Sequence, residues 1–264
     1  MKYCAVIGNP IAHSQSPKIH QSFAKSLSLP LQYDKILATS DTFAEEVNDF
    51  FEQGGSGLNV TLPFKQQAYE LADKVTERAE LAQSVNTLWM EQGRLIGDTT
   101  DGEGLINDLK RIDFPFHNCQ VLVLGAGGAC RSILPPLLEN QCSIALINRT
   151  KANADKLITR LKTLGELHYF SESFQPNLII NTLSESGANY LQQFFPQGLK
   201  GCDVYDISYG ERAQAFLQQA KKMQAKDTRD GWGMLVEQAA LSFKQWHGQL
   251  PDTEPLEAEH PQEI

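Results

Sequence analysis

The sequence lacks several features that would assign the chain to a specialised class of protein. It has no apolar run of about eighteen residues, the length that crosses a membrane, and no signal-peptide pattern before its first strand-like segment. Its five cysteines include no C-x-x-C pair, so neither a metal site nor a disulfide framework is predicted. Lys and Arg number 23 against 32 Asp and Glu, which gives a net charge of −9 and argues against nucleic-acid binding. We therefore predict a cytoplasmic protein with neither membrane nor nucleic-acid partners.

The composition is that of an ordinary globular protein, with one acidic segment at the end. Hydrophobic residues make up 41% of the 264 residues and charged residues 21%, enough for one large or two medium domains. Residues 251–264 contain five acidic residues and three prolines but no Lys or Arg. This composition predicts a polar, mobile tail.

A strand, a glycine-rich turn, a helix and a second strand follow one another between residues 121 and 147. The apolar segment 121–124 predicts a buried parallel strand. Gly125 and Gly127 in the turn 125–129 would let a pyrophosphate approach the helix N-terminus. Cys130 takes the third small position of this glycine pattern. The helix 131–140 contains Pro135-Pro136, which predicts a kink or a break. This order is typical of the opening unit of a dinucleotide-binding fold.

The residues after the second strand indicate which dinucleotide binds. NAD sites place a carboxylate there to accept a hydrogen bond from the ribose 2′-hydroxyl. This chain has Asn148 at that position, followed by Arg149, with Lys151 close behind. Because a guanidinium can hold a 2′-phosphate that a carboxylate would repel, NADP is the favoured cofactor. An ordinary solvated start of a helix is the alternative.

The remaining pattern alternates strands and helices and predicts two α/β domains with a cleft between them. Strands are predicted at 3–8, 31–38, 58–62, 178–181 and 202–206, with a hairpin of 85–90 and 95–98. Helices are predicted at 17–28 (capped by Ser14 or Ser16), 42–53, 63–72, 77–83, 102–112 and 234–246. We assign residues 1–101, completed by the helix at about 236–250, to a substrate-binding domain. Residues 102–235 would form a Rossmann-like NADP-binding domain.

Polar side chains recur where the strands of the first domain are predicted to end or begin. They are Ser14, Ser16, Asn59, Thr61, Lys65, Asn86 and Asp101. Asn59 and Thr61 would face the same way if both lay in one strand. Each residue alone has an ordinary explanation as a cap, a turn residue or a solvated lysine. Together they would suit a small polyhydroxylated acid.

Seven segments in order give this chain a resemblance to the shikimate dehydrogenase family along nearly its whole length. They are residues 11–17, 57–65, 85–87, 100–102, the glycine turn, 148–150 and 231–239. The resemblance implies reversible reduction of 3-dehydroshikimate to shikimate with NADPH, a step of aromatic amino-acid biosynthesis. It also implies a protein that is a monomer or a homodimer.

The resemblance also implies roles for individual residues. Lys65 and Asp101 would be the catalytic pair. Ser14 and Ser16 would bind the substrate carboxylate, and Thr61, Asn86 and Gln238 the hydroxyls, with Asn59 beside them and Tyr209 reaching in from the second domain. The cofactor would be bound by Gly125, Ala126, Gly127, Gly128, Ala129, Asn148, Arg149 and Thr150, with Glu77, Ile207 and Gly231 near the nicotinamide. No metal is implied.

Three departures from the family pattern leave alternatives open. Asn153 stands where a second basic residue is usual, residues 181–185 differ beside the nicotinamide, and Gln214 replaces a threonine. An enzyme that also accepts quinate and uses NAD is one alternative, although Arg149 argues against NAD. A non-catalytic sensor of shikimate-like ligands is a second, which the presence of both Lys65 and Asp101 disfavours. A folate-type NADP dehydrogenase is a third, which the paired serines fit poorly.

Overall fold

The computed structural model describes residues 1–114, 116–184 and 187–259, and the chain divides into two compact units. Unit 1 contains Met1–Gly104 and Leu235–Ala258, and unit 2 contains Leu105–Met234. The sequence predicted these divisions at residues 101 and 235. Both fall inside helices, α5 (Asp101–Arg111) and α10 (Trp232–His247).

Unit 1 is built on a six-stranded sheet. Its strands are β1 (Lys2–Gly8), β2 (Leu31–Leu37), β3 (Gly57–Val60), β4 (Lys74–Val75), β5 (Thr87–Glu91) and β6 (Arg94–Asp98). Its other helices are α1 (Ser16–Ser26), α2 (Phe43–Glu52), α3 (Lys65–Leu71), α4 (Glu77–Ala82) and α11 (Glu254–Ala258). The order is β2-β1-β3-β5-β6-β4, and only β5 runs antiparallel to its neighbours.

Strand β1 shows why this unit needs helices on both faces of its sheet. Successive side chains of a strand point to opposite faces. Ala5 and Ile7 pack with α2, whereas Cys4 and Val6 pack in a separate cluster with Trp246 of α10. Because all four are buried, the strand reads as a continuous apolar run rather than an alternating one.

The direction of β5 gathers the polar segments of unit 1 at one edge of the sheet. Strands β1, β3 and β6 run the same way, so the segments that follow them start at the same edge. Because β5 runs the opposite way, the segment that precedes it ends there too. The residues after β1, β3 and β6 and before β5 are the polar ones that the sequence singled out.

Unit 2 is a doubly wound parallel sheet. Its strands are β7 (Gln120–Leu124), β8 (Ser143–Ile147), β9 (Leu167–Tyr169), β10 (Leu178–Asn181), β11 (Asp203–Asp206) and β12 (Asp227–Arg229). Its helices are α6 (Gly128–Glu139), α7 (Lys151–Leu161), α8 (Ala188–Phe194) and α9 (Glu211–Lys222). The order is β12-β11-β10-β7-β8-β9. It reverses between β7 and β10, where such sheets bind their ligands, and this confirms the predicted Rossmann-like fold.

Two local predictions for unit 1 were wrong. Helix α1 begins at Ser16 itself after Gln15, and its N-cap has no side-chain hydrogen bond, so neither Ser14 nor Ser16 caps it. Strand β3 ends at Val60, so Thr61 lies beyond it rather than within it. The Thr61 backbone N–H still donates to the carbonyl of Ile7 over 3.0 Å, which ties the start of the following turn to β1.

Helix α6 is continuous through Pro135-Pro136, where the sequence predicted a kink or a break. Proline fixes φ near the helical value, so its cost inside a helix is the missing donor and the crowding of the preceding turn. Here the helix runs from Gly128 to Glu139, and Pro135 is buried in the unit. Burial of one helix face therefore outweighs the two missing N–H groups.

The segment after residue 250 packs on unit 1 where a mobile tail was predicted. Leu256 on α11 is 4% exposed and Pro251 is also buried. Thr253 donates to the Glu237 carboxylate on α10 over 2.7 Å. Two apolar anchors thus hold an otherwise acidic segment. Residues 260–264 of the predicted tail, and Glu185 of the loop noted above, lie outside the described residues.

All five cysteines are buried and unpaired, as small core residues would be. Burial raises the pKa of the Cys4, Cys119, Cys130 and Cys202 thiols to about 12 and that of Cys142 to about 11, so they are not reactive thiolates. Within the described ranges, no helix is long and apolar enough to span a membrane. No group of three or more His, Cys, Asp or Glu side chains suited to a metal occurs there either.

Candidate active site

The centre of the polar edge of unit 1 is an ion pair between Lys65 and Asp101. Lys65 is the first residue of α3 and Asp101 the first of α5. The Lys65 Nζ lies 2.6 Å from the Asp101 Oδ2, and the two side chains are 14% and 6% exposed. A carboxylate at a helix N-terminus is favoured by the helix dipole. The pair therefore holds a cation, with donors to spare, at a partly solvent-accessible position.

Asn86 fixes the other side of the Asp101 carboxylate. Its Nδ2 donates to the Asp101 Oδ1 over 2.8 Å and to the Thr100 Oγ1 over 2.9 Å. The Asn86 Oδ1 accepts from the Thr100 backbone N–H over 2.9 Å. The Gln238 Oε1 lies 3.1 Å from the same Nδ2. One oxygen of Asp101 thus faces the lysine and the other an amide, so the carboxylate cannot turn freely.

A close approach of two helices brings Gln238 to this network. A Cβ on Gly104 of α5 would lie 2.7 Å from the Gln238 Cβ and 2.8 Å from its backbone nitrogen on α10. Only glycine fits at that crossing. The predicted substrate-binding residues Asn86 and Gln238 are therefore brought together with the Lys65–Asp101 pair.

The Asn59 side chain makes its hydrogen bonds within unit 1. Its Oδ1 accepts from the Tyr33 hydroxyl over 2.7 Å, and its Nδ2 donates to the Ser242 Oγ over 3.0 Å and the Asn86 carbonyl over 3.2 Å. The residue is 5% exposed. Its contacts therefore support the position of Asn86 from behind.

Ser14 and Ser16 form a pair of hydroxyls at the start of α1. Their Oγ atoms are 3.2 Å apart, and the Ser16 backbone N–H points to the Ser14 Oγ over 3.3 Å. A helix N-terminus with two hydroxyls is a chemically suitable place for a carboxylate. Thr61, after β3, starts from the same sheet edge.

The glycine turn of unit 2 fits a dinucleotide. Gly125 has φ +114°, and a Cβ there would collide with the Thr182 Oγ1 after β10. A Cβ on Gly127 would meet nothing within 4 Å, so space lies open at the start of α6. Ala126 is buried, Gly128 opens the helix and Ala129 follows in its first turn. These features leave backbone N–H groups accessible to a phosphate.

The loop after β8 presents an exposed cation and no carboxylate. Arg149 and Thr150 are exposed, and the Asn148 side chain donates to the Thr150 carbonyl over 2.8 Å. Lys151 already has partners within the unit, since its Nζ lies 2.6 Å from the Asp155 carboxylate and 4.9 Å from the centre of the Tyr169 ring. Arg149 is therefore the cation available to a 2′-phosphate.

The remaining predicted residues of unit 2 lie in the loop after β11 or pack against it. A Cβ on Gly231 would collide with the Ile207 carbonyl oxygen, and the Gly231 N–H donates to the Ser208 carbonyl over 2.8 Å. The Tyr209 ring meets Trp232 edge-on, with centroids 6.0 Å apart. Glu77 is exposed at the start of α4 in unit 1, and its role stays a prediction.

Sequence reasoning noted Asn181, at the end of β10, only as part of the loop 181–185 and missed Asp206 at the end of β11. The Asn181 Nδ2 donates to the Asp206 Oδ2 over 2.9 Å, and the Ser208 N–H donates to the Asp206 Oδ1 over 2.8 Å. Burial raises the pKa of Asp206 to about 6. A polar residue at the last position of an otherwise apolar strand was the available signal. The two side chains link the loops that follow β10 and β11.

Comparison with known proteins agrees with both units. Residues 6–88 match the family described as the shikimate dehydrogenase substrate binding domain, residues 108–175 shikimate/quinate 5-dehydrogenase, and residues 231–259 the shikimate 5'-dehydrogenase C-terminal domain. Among solved structures, an Ael1 enzyme from Pseudomonas putida is 36% identical, with a TM-score of 0.86, covering 100% of this chain and 99% of that one.

Two structures of shikimate 5-dehydrogenase from Thermus thermophilus are also similar. The complex with NADP(H) and shikimate is 29% identical, covers 100% of both chains and has a TM-score of 0.87. The complex with shikimate is 30% identical, covers 98% of this chain and 97% of that one, and has a TM-score of 0.84. One unit is a parallel sheet with a glycine turn and the other is an α/β unit that holds a Lys–Asp pair, and a chain with these two units is a two-domain dehydrogenase. The chain belongs to the shikimate dehydrogenase family.

Proposed function

We propose that this protein is a shikimate dehydrogenase that reversibly reduces 3-dehydroshikimate to shikimate with NADPH, in the cytoplasm, as a step towards aromatic amino acids. The observation that carries the proposal is the Lys65–Asp101 ion pair of 2.6 Å, backed by Asn86 at a polar sheet edge. A protein that only bound its ligand would have no need for a proton donor there. The two Thermus thermophilus complexes contain shikimate, and one of them also contains NADP(H).

The residues of unit 1 bind the substrate and donate the proton. Lys65, as an ammonium, polarises the ketone and donates a proton to the developing alkoxide. Asp101 orients the lysine through its Oδ2. Ser14 and Ser16 bind the substrate carboxylate, and Thr61, Asn86 and Gln238 bind its hydroxyls.

The residues of unit 2 hold the cofactor. NADPH supplies the hydride when bound. The turn Gly125–Ala129 accepts its pyrophosphate, Arg149 with Asn148 and Thr150 accepts the adenosine phosphate, and Ile207 and Gly231 lie towards the nicotinamide. Tyr209 contacts the substrate. No metal is required, because the carbonyl is polarised by the lysine.

The test is a spectrophotometric assay at 340 nm with purified protein, shikimate and either NADP or NAD. NADP-dependent turnover of shikimate would support the proposal. Residues 108–175 match a family described as acting on shikimate or quinate. A parallel assay with quinate therefore tests whether quinate is an alternative substrate. If folded protein binds shikimate but does not oxidise it with either cofactor, the proposal of an enzyme is rejected in favour of a non-catalytic sensor.

Replacing Arg149 by Ala should weaken NADP binding selectively. Hydrogen bonds to charged groups contribute about 1.5–3 kcal/mol, so the KM for NADP should rise about 10- to 100-fold. The KM for NAD should stay within about 3-fold, because NAD has no 2′-phosphate. Initial rates at varied cofactor concentration measure both values.

The matched control for Arg149 is Lys151→Ala. Lys151 is a neighbouring exposed cation already paired with Asp155, so its loss should change the KM for NADP by less than about 3-fold. Equal losses in the two variants would indicate a general effect of surface charge. Equal losses for NADP and NAD in Arg149→Ala would remove Arg149 from phosphate recognition.

A further inference from the structure

Asp98, three residues before Asp101, is a buried carboxylate of unit 1 that accepts hydrogen bonds from two side chains and one backbone N–H. It ends β6 and is 3% exposed. The Arg78 Nε donates to its Oδ1 over 2.8 Å, and the Arg78 Nη2 donates to its Oδ2 over 2.5 Å. The Thr76 hydroxyl and the Thr99 backbone N–H donate to the same Oδ1 over 2.5 and 2.8 Å. Both oxygens are thus held by a planar fork from α4.

Asp98 is linked to the Lys65–Asp101 pair through Asn86. The Asn86 backbone N–H donates to the Asp98 carbonyl over 3.0 Å, while the Asn86 side chain donates to Asp101 over 2.8 Å. Residues 98–101 therefore form a short turn that Asn86 holds at both ends. Arg78 anchors the first of those ends from outside the site.

The charge balance makes the anchor necessary. Asp98 is buried only three residues from a second buried carboxylate, and a buried charge without a partner is costly. Hydrogen bonding to Asp98 raises the pKa of Arg78, although its side chain is 43% exposed, so the guanidinium stays charged. Without it, Asp98 would be a buried carboxylate with no cation beside it and would turn towards water. That change would release the Thr99 N–H and loosen the turn.

We propose that Arg78 and Asp98 are a positioning pair that fixes the turn 98–101 and so places the Asp101 carboxylate on Lys65. The kinetic part of this inference rests on the proposed function. In this proposal the pair acts through Asn86 and Asp101 rather than on a ligand.

The chain offers a matched control in unit 2. Arg111 and Asp108 also form an ion pair with 2.5 Å between Nη2 and Oδ1, and their side chains are 41% and 3% exposed. Asp108 in addition accepts from the Tyr205 hydroxyl over 2.6 Å. Arg78–Asp98 and Arg111–Asp108 are thus alike in distance and burial. Only Asp98 is linked through Asn86 to Asp101.

The experiment compares Arg78→Gln, Arg78→Lys and Arg111→Gln in the full chain. Arg78→Gln should lower kcat for shikimate oxidation about 10- to 100-fold, because a misplacement of about 1 Å can cost that much, and leave the KM for shikimate within about 3-fold. Arg78→Lys keeps the charge without the fork and should fall between Arg78→Gln and wild type. Arg111→Gln should lower Tm by about as much as Arg78→Gln does, but its kcat should stay at the wild-type value.

A second measurement needs no turnover. Acylation of Lys65 by a small amine-reactive reagent, followed by peptide mass spectrometry, should be several-fold faster in Arg78→Gln than in wild type or Arg111→Gln. A lysine released from its carboxylate is easier to acylate. If Lys65 labelling and kcat were both unchanged in Arg78→Gln and Arg78→Lys, the pair would only stabilise the fold, and the inference would be overturned. If wild type failed to oxidise shikimate, the proposed function would be rejected, and the labelling would still decide on the positioning pair.

Discussion

Turnover of shikimate is expected to fall by about 10²- to 10⁴-fold when Lys65 is replaced by methionine, the range that general acid–base groups contribute. Methionine has a similar length but no proton to donate and no charge to polarise the ketone. The KM for NADP should change little, because Lys65 belongs to unit 1 and the glycine turn to unit 2. Steady-state kinetics at 340 nm with both substrates varied measures kcat and both KM values.

The control for this variant is Lys74→Met, an exposed lysine on β4, which should keep wild-type kcat. Melting curves separate a loss of chemistry from a loss of fold, since Asp101 is left without its cation. Retention of more than about a tenth of kcat in Lys65→Met would contradict its role as the proton donor.

The architecture could be predicted from the sequence because local patterns determined it. Alternating strands and helices indicated two α/β units, and the apolar run before Gly125 located the central parallel strand of the second unit. The hairpin of β5 and β6 and the helix α10 followed from the same periodicity. The predicted pairing of Lys65 with Asp101 came from a resemblance, and their distance of 2.6 Å in the structure is consistent with it.

Details that depend on contacts distant in sequence could not be predicted. Thr61 lies outside β3 and Leu256 is buried, and neither outcome is visible in the residues beside them. Asp98 looks like a hairpin residue until α4 brings Arg78 to it. Nothing in the sequence beside His20 indicates that four aromatic rings surround it.

His20 is fully buried in the aromatic cluster of unit 1. Its ring stacks on Tyr33 at 4.4 Å and on Trp246 at 5.4 Å, and Phe243 lies at 6.1 Å. Neither ring nitrogen makes a hydrogen bond within the described part of the chain. Burial, with repulsion from His247 as a smaller cause, lowers the pKa of His20 to about 3, and the nearby Asn59 amide opposes this only weakly.

The protein should therefore lose stability in mild acid through His20. The unfolded chain takes up the proton near pH 6.5 and the folded chain only near pH 3, so the unfolded state binds more protons between these values. The contribution is fully present above pH 6.5 and is lost as the pH falls below it. At about 1.4 kcal/mol per pH unit, about 2–3 kcal/mol should be lost between pH 7 and pH 4.5.

Wild type alone would not reveal this loss, because Asp206 has the opposite effect. Its pKa is raised from 3.8 to about 6, so its contribution falls as the pH rises through that range. The informative quantity is the difference in unfolding free energy between wild type and His20→Phe, measured by urea denaturation from pH 7 to 4.5. His20→Phe keeps an aromatic ring without the titrating nitrogens, so its stability should fall less steeply in acid. Phe243→Leu, a change in the same cluster, should cost the same at every pH. If His20→Phe and wild type lost stability in parallel, the buried imidazole would not be the group that couples this fold to pH.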